Sequence, residues 1–479
     1  MSGREFDAIV IGSGAGGAAT AFSLVKGGKR VLVLEKGGRL PRDSSTLDVR
    51  QVLGEDRFNN TQSWIDSRGR PFIPGEYYNL GGKTKWYGAA LLRFSPHEFE
   101  ADAAHQCLPW PIRYEDLAPY YAQAERLLGV RTFDCEPELQ RLMERISATQ
   151  SGWRHEPLPL GLRPEILSDA REAKHFDGFA SVGGYKADAE RDLLAAVEAA
   201  LGSNVRTHCE VMGLSHGAGD PTTLTGVDCS DGNHYSAPLI VLAAGAMTSP
   251  RLLQNYLEHT GLAATLPAAA LVGAHFKMHV NSALLAFSLR KWHDTLRKTA
   301  IFFNDDFPHS SVQPLGWLDG EILATQLPAA MPGFLSRALG ARAYGFFVTT
   351  EDGSDEHNRI VDGAGPRGES HMDYDLSRLA PAQTEHVAVI RGFKAVLRRT
   401  GLLGIARYMG PAGTAHALGS LLMGNDPEHS VVDAVGRVHG LRNLYVADGS
   451  VLPRASRVNP ALTIYAWGLR LGAWLSKEK

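Results

Sequence analysis

The sequence predicts an α/β fold in which a Rossmann-like dinucleotide-binding domain is discontinuous in the chain. A second domain, built on an antiparallel β-sheet with helices, fills the gaps. Three observations predict this. An apolar run at residues 6–11 leads into Gly12-Ser-Gly-Ala-Gly-Gly, a small-residue helical stretch follows, and a second apolar run at 30–34 closes on Glu35. Far downstream, another run at 237–244 ends in Gly245-Ala246. A last one at 444–447 precedes Asp448-Gly-Ser near the C-terminus. Short apolar runs bounded by glycine read as parallel strands buried on both faces.

Taken in order, residues 6–11 predict the first strand. Residues 15–26 predict a helix stopped by Gly27-Gly28, and residues 30–34 the second strand, together one right-handed crossover. Residues 39–80, rich in Arg, Asp, Asn, Pro and Gly, predict a long irregular excursion. A glycine-rich loop follows at 79–88. Amphipathic helices are expected over 114–128, 136–146, 188–200 and 385–399. Residues 205–214 and 224–228 alternate as strands, and the aromatic, β-branched stretch 275–350 predicts a separate sheet. The expected boundaries are 1–95, 190–275 and 405–479 for the cofactor domain, and 96–189 and 276–404 for the substrate domain.

The chain has 479 residues, 44% hydrophobic and 21% charged, with a net charge of -3. That balance belongs to a globular protein with room for more than one domain. It offers no strongly basic face, so nucleic acid is not an expected partner. Cys107, Cys135, Cys209 and Cys229 are scattered without a C-x-x-C pair, which argues against a disulfide scaffold and a zinc ribbon; no metal is expected. The longest apolar run, 237–247, is too short to cross a bilayer, so no membrane insertion is expected. The first apolar run already carries the glycine motif and not a secretion signal, and the expected location is cytoplasmic.

Gly12, Gly14 and Gly17 have the G-x-G-x-x-G spacing. Gly12 permits the tight turn, Gly14 lets backbone approach a pyrophosphate, and Gly17 lets the helix pack close to the strand. The helix beginning at Ala15 then offers free N–H groups and a partial positive charge to phosphate. Glu35 lies 21 positions after Gly14, where a carboxylate accepts from ribose hydroxyls. Lys36 is its neighbour and reads as solvated.

The C-terminal segments are Pro411-Ala-Gly-Thr-Ala-His416, Asn443-Leu-Tyr-Val-Ala-Asp448-Gly449-Ser450 and Asn459-Pro460. With the Gly81-Gly82 loop, Ala243-Ala-Gly-Ala-Met-Thr-Ser-Pro and Val272-Gly-Ala-His-Phe-Lys-Met-His279, they resemble the glucose–methanol–choline oxidoreductase family of flavoproteins. The resemblance implies FAD and the oxidation of an alcohol to a carbonyl. His416 would take the hydroxyl proton while hydride passes to flavin N5. Asn459, 43 residues later, would hold the same oxygen, leaving His416 as the only base of the pair. The implied cofactor set is Gly12, Gly14, Ala15, Gly17, Glu35, Lys36, Gly82, Trp86, Val211, Ala244, Asp448, Gly449, Asn459 and Pro460.

Some relatives attach flavin to a histidine near the middle of the Gly81-Gly82 loop. Here residues 83–88 contain none, so non-covalent FAD is expected. Competing readings stand beside these. His416 could be a structural histidine in a buried helix, and Asn459 a helix N-cap with Pro460 at the first position. Trp86 and Tyr87 read equally as core aromatics or flavin contacts, while His279 and His439 read as structural. For the whole chain, a nicotinamide-dependent dehydrogenase and a flavin-binding descendant without a substrate are the alternatives. A sugar or glycoside is the expected substrate, with a non-sugar alcohol second. The electron acceptor, oxygen or another, is left open.

Overall fold

Five strands run parallel in the order Leu444–Val446, Ile240–Leu242, Ala8–Ile11, Val31–Leu34, Asn204–Arg206. The computed structural model describes residues 6–326, 332–413 and 416–478. Ile11 stands opposite both Leu34 and Leu242, and Leu242 opposite Val446, so the strands end at one level. The first four are buried along their whole length, which is why their sequences are unbroken apolar runs. Gly12, Glu35, Ala243 and Ala447 follow the strand ends, where open α/β sheets place ligands.

Two glycines make this edge possible. Gly12 turns out of its strand at φ +104°, and a Cβ there would lie 2.3 Å from the Ala243 carbonyl oxygen. Gly16, in the helix Ala15–Lys26, touches the end of the last strand: its Cβ would lie 1.8 Å from the Ala447 carbonyl. The same helix packs against the C-terminal helix Ala461–Leu475. Thr20 Oγ1 donates to the Gly468 carbonyl and Ser23 Oγ to that of Leu469, both at 3.1 Å.

The stretch 205–214 is not one strand. His208, at φ +55°, breaks it. Asn204–Arg206 joins the parallel sheet, while Val211–His216 forms a three-stranded antiparallel sheet with Leu224–Cys229 and His234–Ser236.

The second sheet has six antiparallel strands in the order Leu403–Met409, Val280–Phe287, Ala343–Thr350, Ser310–Pro314, Ala300–Asn304, Trp153–Pro157. Within the stretch 275–350 that predicted it, residues 327–331 lie outside the described residues. The helix Ala380–Arg399 lies on this sheet, burying Val389, Phe393 and Leu397 with Leu284, Phe302 and Phe346. The edge strand Leu403–Met409 pairs with Val280–Phe287 along its length. Residues 405–409 therefore belong to this sheet, and the chain returns to the parallel sheet only after Met409.

The excursion 39–80 is mostly irregular, as its composition predicts. Its strands Trp64–Asp66 and Pro71–Phe72 join Ser370–Asp373 and Arg359–Val361 in a small four-stranded sheet, which ties it to the inserted segments. No disulfide occurs among the described residues. No helix among them is long and apolar enough to cross a membrane.

Candidate active site

A cleft opens along the C-terminal edge of the parallel sheet and is closed over by the six-stranded antiparallel one. Of the residues the sequence singles out, Gly12, Gly14, Ala15, Glu35, Lys36, Gly82, Val211, Ala244, His416, Asp448, Gly449, Asn459 and Pro460 line it together. Tyr77, Tyr78, Tyr87, Asp177, Lys298, Leu315 and Phe347 also line it.

Two expected residues stand behind the wall. Gly17 packs the helix onto the first strand, where a Cβ would come within 2.1 Å of the Gly12 carbonyl. Trp86 is buried away from the cleft. Its indole donates to Asn79 Oδ1 at 2.9 Å and stacks on Tyr77 at 4.9 Å, so Tyr77 presents the aromatic face instead. Trp86 is thus a core aromatic, whereas its neighbour Tyr87 lines the cleft.

The sheet edge fits a dinucleotide. A Cβ on Gly14 would meet nothing within 4 Å, so the backbone there is open to a ligand. The helix beginning at Ala15 has no side-chain cap, and its first N–H groups are available to phosphate. Glu35 Oε2 accepts from the Ser13 N–H and from Ser13 Oγ, at 3.2 and 2.5 Å, and Oε1 accepts from the Gly37 N–H at 2.8 Å. Burial raises its pKa above the ordinary range, and the bonds from Ser13 and Gly37 oppose that rise. Lys36 is engaged rather than simply solvated. Its ammonium meets Glu210 at 2.7 Å and lies 4.3 Å from the Tyr78 ring centre.

Asp448 joins the tail to the preceding strand. Its Oδ2 accepts from the Gly245 N–H at 2.8 Å and Ser249 Oγ at 2.5 Å. Its Oδ1 accepts from the Ser450 N–H at 2.9 Å and Ser450 Oγ at 2.5 Å.

At His416 the geometry defines a proton-accepting atom. The residue is half-buried in a turn at φ +64°, not in a helix. Its Nδ1 stands 2.6 Å from Nδ1 of His279. His279 Nε2 faces the carbonyls of Ala455 and Ser456, at 3.1 and 2.7 Å. Carbonyls only accept, so His279 carries its proton on Nε2 and its Nδ1 is the acceptor. His416 must then donate through Nδ1, which leaves its Nε2 bare. His279 does bond backbone carbonyls, as a structural histidine would, but its other nitrogen sets the tautomer of His416.

Asn459 faces that bare nitrogen, its Nδ2 lying 3.5 Å from His416 Nε2. Gln313 Nε2 donates to Asn459 Oδ1 at 2.7 Å, which turns the amide so that its N–H groups point toward the imidazole. Asn459 is not the N-cap the sequence suggested. The helix begins at Ala461 with Pro460 before it, and no side-chain bond caps its first turn. An oxygen placed beside the two nitrogens, within hydrogen-bond reach of both, can give its proton to Nε2 while accepting from Nδ2.

Burial holds the His416 pKa well below the ordinary histidine value, and the neighbouring His279, Lys83 and Lys298 lower it further. The imidazole is therefore neutral near pH 7.

The loop behind the pair is anchored by a buried ion pair. Arg454 meets Glu351 through Nε at 2.9 Å and Nη2 at 2.6 Å, and Glu351 Oε1 also accepts from the Ser456 N–H at 3.0 Å. His309 Nδ1 adds a contact to Glu351 Oε2 at 3.0 Å, and its Nε2 reaches Asp102 at 3.2 Å. Gln313, Asp177 and Lys298 carried no signal in the sequence. His279 lay within a landmark segment but only the tertiary contact reveals its partner.

Residues 383–468 match the family described as GMC oxidoreductase, and residues 7–326 match that described as FAD dependent oxidoreductase. The chain is 28% identical to a 6'''-hydroxyparomomycin C oxidase of Streptomyces lividus, covering 98% of this chain and 90% of that protein. It is 27% identical to a paromamine 6'-oxidase of Streptomyces fradiae over the same shares. Among solved structures, a pyridoxine 4-oxidase from Mesorbium loti has a similar fold, with a TM-score of 0.70 at 18% identity, covering 99% of this chain and 100% of that one.

Proposed function

The chain belongs to the FAD-dependent GMC oxidoreductases, which act on CH–OH groups, and from that premise we propose that it oxidises a hydroxyl of a sugar or glycoside to a carbonyl with His416 as base. Bound FAD supplies the hydride acceptor, flavin N5. The chain's own residues do the rest. Backbone at Gly14 and the helix start at Ala15 receive the pyrophosphate, and Glu35 receives the ribose hydroxyls. The substrate hydroxyl gives its proton to His416 Nε2 and accepts a hydrogen bond from Asn459 Nδ2. Carbon thereby loses a hydride and oxygen a proton, which balances the conversion of alcohol to carbonyl.

The observation that carries this reading is the bare Nε2 of His416, fixed by His279 and facing a donor. A neutral imidazole accepts a proton without prior ionisation, and a neutral amide holds the oxygen without adding charge. The oxidases of paromomycin- and paromamine-type compounds among the relatives support a sugar-like substrate. The absence of histidine from residues 83–88 supports non-covalent FAD. Acid precipitation that leaves the yellow colour in solution is the expected result, and colour in the pellet contradicts it.

The test of function is an anaerobic panel of alcohols and sugars mixed with the holoenzyme. Bleaching of the flavin absorbance by sugars or glycosides is expected, and readmitted air then shows whether oxygen restores it. Bleaching by simple alcohols alone removes the sugar assignment. A flavin that no alcohol bleaches removes the activity.

A further inference from the structure

The cleft that holds His416 and Asn459 contains an ion pair that the proton transfer does not use. Lys298 Nζ meets Asp177 Oδ2 at 2.9 Å, and both residues line the cleft although 121 positions separate them. Lys298 is 6% exposed. Taking two charges out of water is costly, and such a pair persists only when its remaining donors and acceptors are satisfied.

Here they are not satisfied by the protein. Asp177 Oδ2 also accepts from the Gly316 N–H at 3.0 Å, but its Oδ1 meets no donor among the described residues. An ammonium has three N–H groups. That of Lys298 is bonded to Asp177 alone among the described residues, so two donors remain. The Leu315 and Phe347 side chains, which also line the cleft, are apolar and can accept nothing.

The pair is also built to stay in place. The buried Lys186 ammonium donates to the carbonyls of Phe176, Phe179 and Tyr87, at 2.7, 2.5 and 2.7 Å. This clamps the segment carrying Asp177 to the loop that lines the cleft. Gly88 of that loop leaves the space the charges occupy: a Cβ there would lie 2.2 Å from Asp177 Oδ1 and 2.3 Å from Lys298 Nζ.

We infer that Asp177 and Lys298 form a subsite for adjacent hydroxyls of the substrate, a vicinal diol distinct from the hydroxyl that His416 deprotonates. One hydroxyl donates to Asp177 Oδ1 while its neighbour accepts from Lys298 Nζ. An acceptor and a donor side by side match two neighbouring hydroxyls, and the pair carries no net charge. The other ion pairs on this wall, Lys83 with Glu76 at 2.5 Å and Lys36 with Glu210 at 2.7 Å, are likewise neutral overall. None of the three pairs favours a cationic or an anionic head group, so the ligand class is a neutral polyol. This inference rests on the sugar-oxidising reading and sharpens it.

The test uses the holoenzyme and titration calorimetry with two probes, a neutral monosaccharide glycoside and a simple primary alcohol of similar size without neighbouring hydroxyls. Asp177→Asn, Lys298→Met and the double substitution are compared, the last leaving no uncompensated buried charge. The ratio of glycoside to simple-alcohol affinity is expected to fall about tenfold or more in each variant, the order of one charge-assisted hydrogen bond. An unchanged ratio, or a parallel loss for both probes, overturns the subsite. Tighter binding of an aminoglycoside than of the neutral glycoside, abolished by Asp177→Asn, overturns the neutral-polyol assignment. Glycoside binding without flavin bleaching, sensitive to these substitutions, upholds the subsite and sinks the oxidation.

Discussion

The Nδ1 atoms of His279 and His416 stand 2.6 Å apart, with the two rings edge to face at 85°. One imidazole thereby dictates where the other carries its proton. His279→Phe removes the acceptor and frees His416 to adopt the wrong tautomer. The rate of flavin bleaching in a single turnover is expected to fall about 10- to 100-fold, at unchanged flavin content. His279→Gln, which returns an acceptor oxygen, is expected to recover part of the rate.

The acid limb of activity depends on His416. On the proposed mechanism the neutral form of His416 is the base, so activity is expected to fall as pH drops through its pKa. Burial, His279, Lys83 and Lys298 hold that pKa well below 6.5. A profile of kcat/KM is therefore expected to stay flat through pH 6.5 and to fall only below it. In Lys298→Met one depressing charge is gone, and the limb is expected to move to higher pH.

On the proposed mechanism Asn459→Asp places a carboxylate beside an oxygen that is gaining negative charge. A loss of about 10²-fold in kcat is expected, the scale of one donor lost at a developing oxyanion. Stopped-flow reduction of the flavin measures it. Unchanged turnover removes Asn459 from the reaction.

Stability should report on His309. Burial opposes its protonation, but the hydrogen bond to Glu351 and the charges of Glu351, Glu385 and Asp102 prevail and raise its pKa above 6.5. A raised folded pKa stabilises fully below the unfolded value and is lost as pH rises through the folded one. Thermal melts are expected to show Tm declining as pH rises above 6.5, with a shallower decline in His309→Gln. Glu351 acts in the opposite window. Although burial works against its ionisation, His309 and Arg454 hold its pKa far below 4.5, so its contribution is present above 4.5 and fades only in acid.

Gly16→Ala forces a methyl to within 1.8 Å of the Ala447 carbonyl, and backbone must move. Overpacking of this kind costs about 1–3 kcal/mol or more. A lower Tm and reduced flavin content in the purified protein are expected.

What the sequence shows well is local. The helix Ala15–Lys26 and the strand ends at Gly12 and Glu35 follow from adjacent residues, because glycine and apolar runs act within a turn or a strand. His416 and Asn459 were legible through flanking motifs. His279, Gln313, Asp177 and Lys298 were not, since their meaning comes from strands of a second sheet folding over the first. The break at His208 was hidden because apolar alternation continues on both sides of it, and only φ distinguishes one strand from two. Trp86 misled for a related reason: the loop coils into a short helical turn at Gly82–Lys85, so that Lys83, Thr84 and Tyr87 face the cleft while Trp86 turns into the core.

The hydroxyl of Thr20 and the carbonyl of Gly468, bonded across 448 positions, set a schedule for synthesis. At about 5–20 residues per second, the ribosome needs roughly 20 to 90 s to deliver the second partner after the first. During that interval the opening helix has no mate for its glycine face, and the groove for the nucleotide lacks its floor at Asp448. Cofactor capture therefore waits for the segment that carries Asp448 and Gly468.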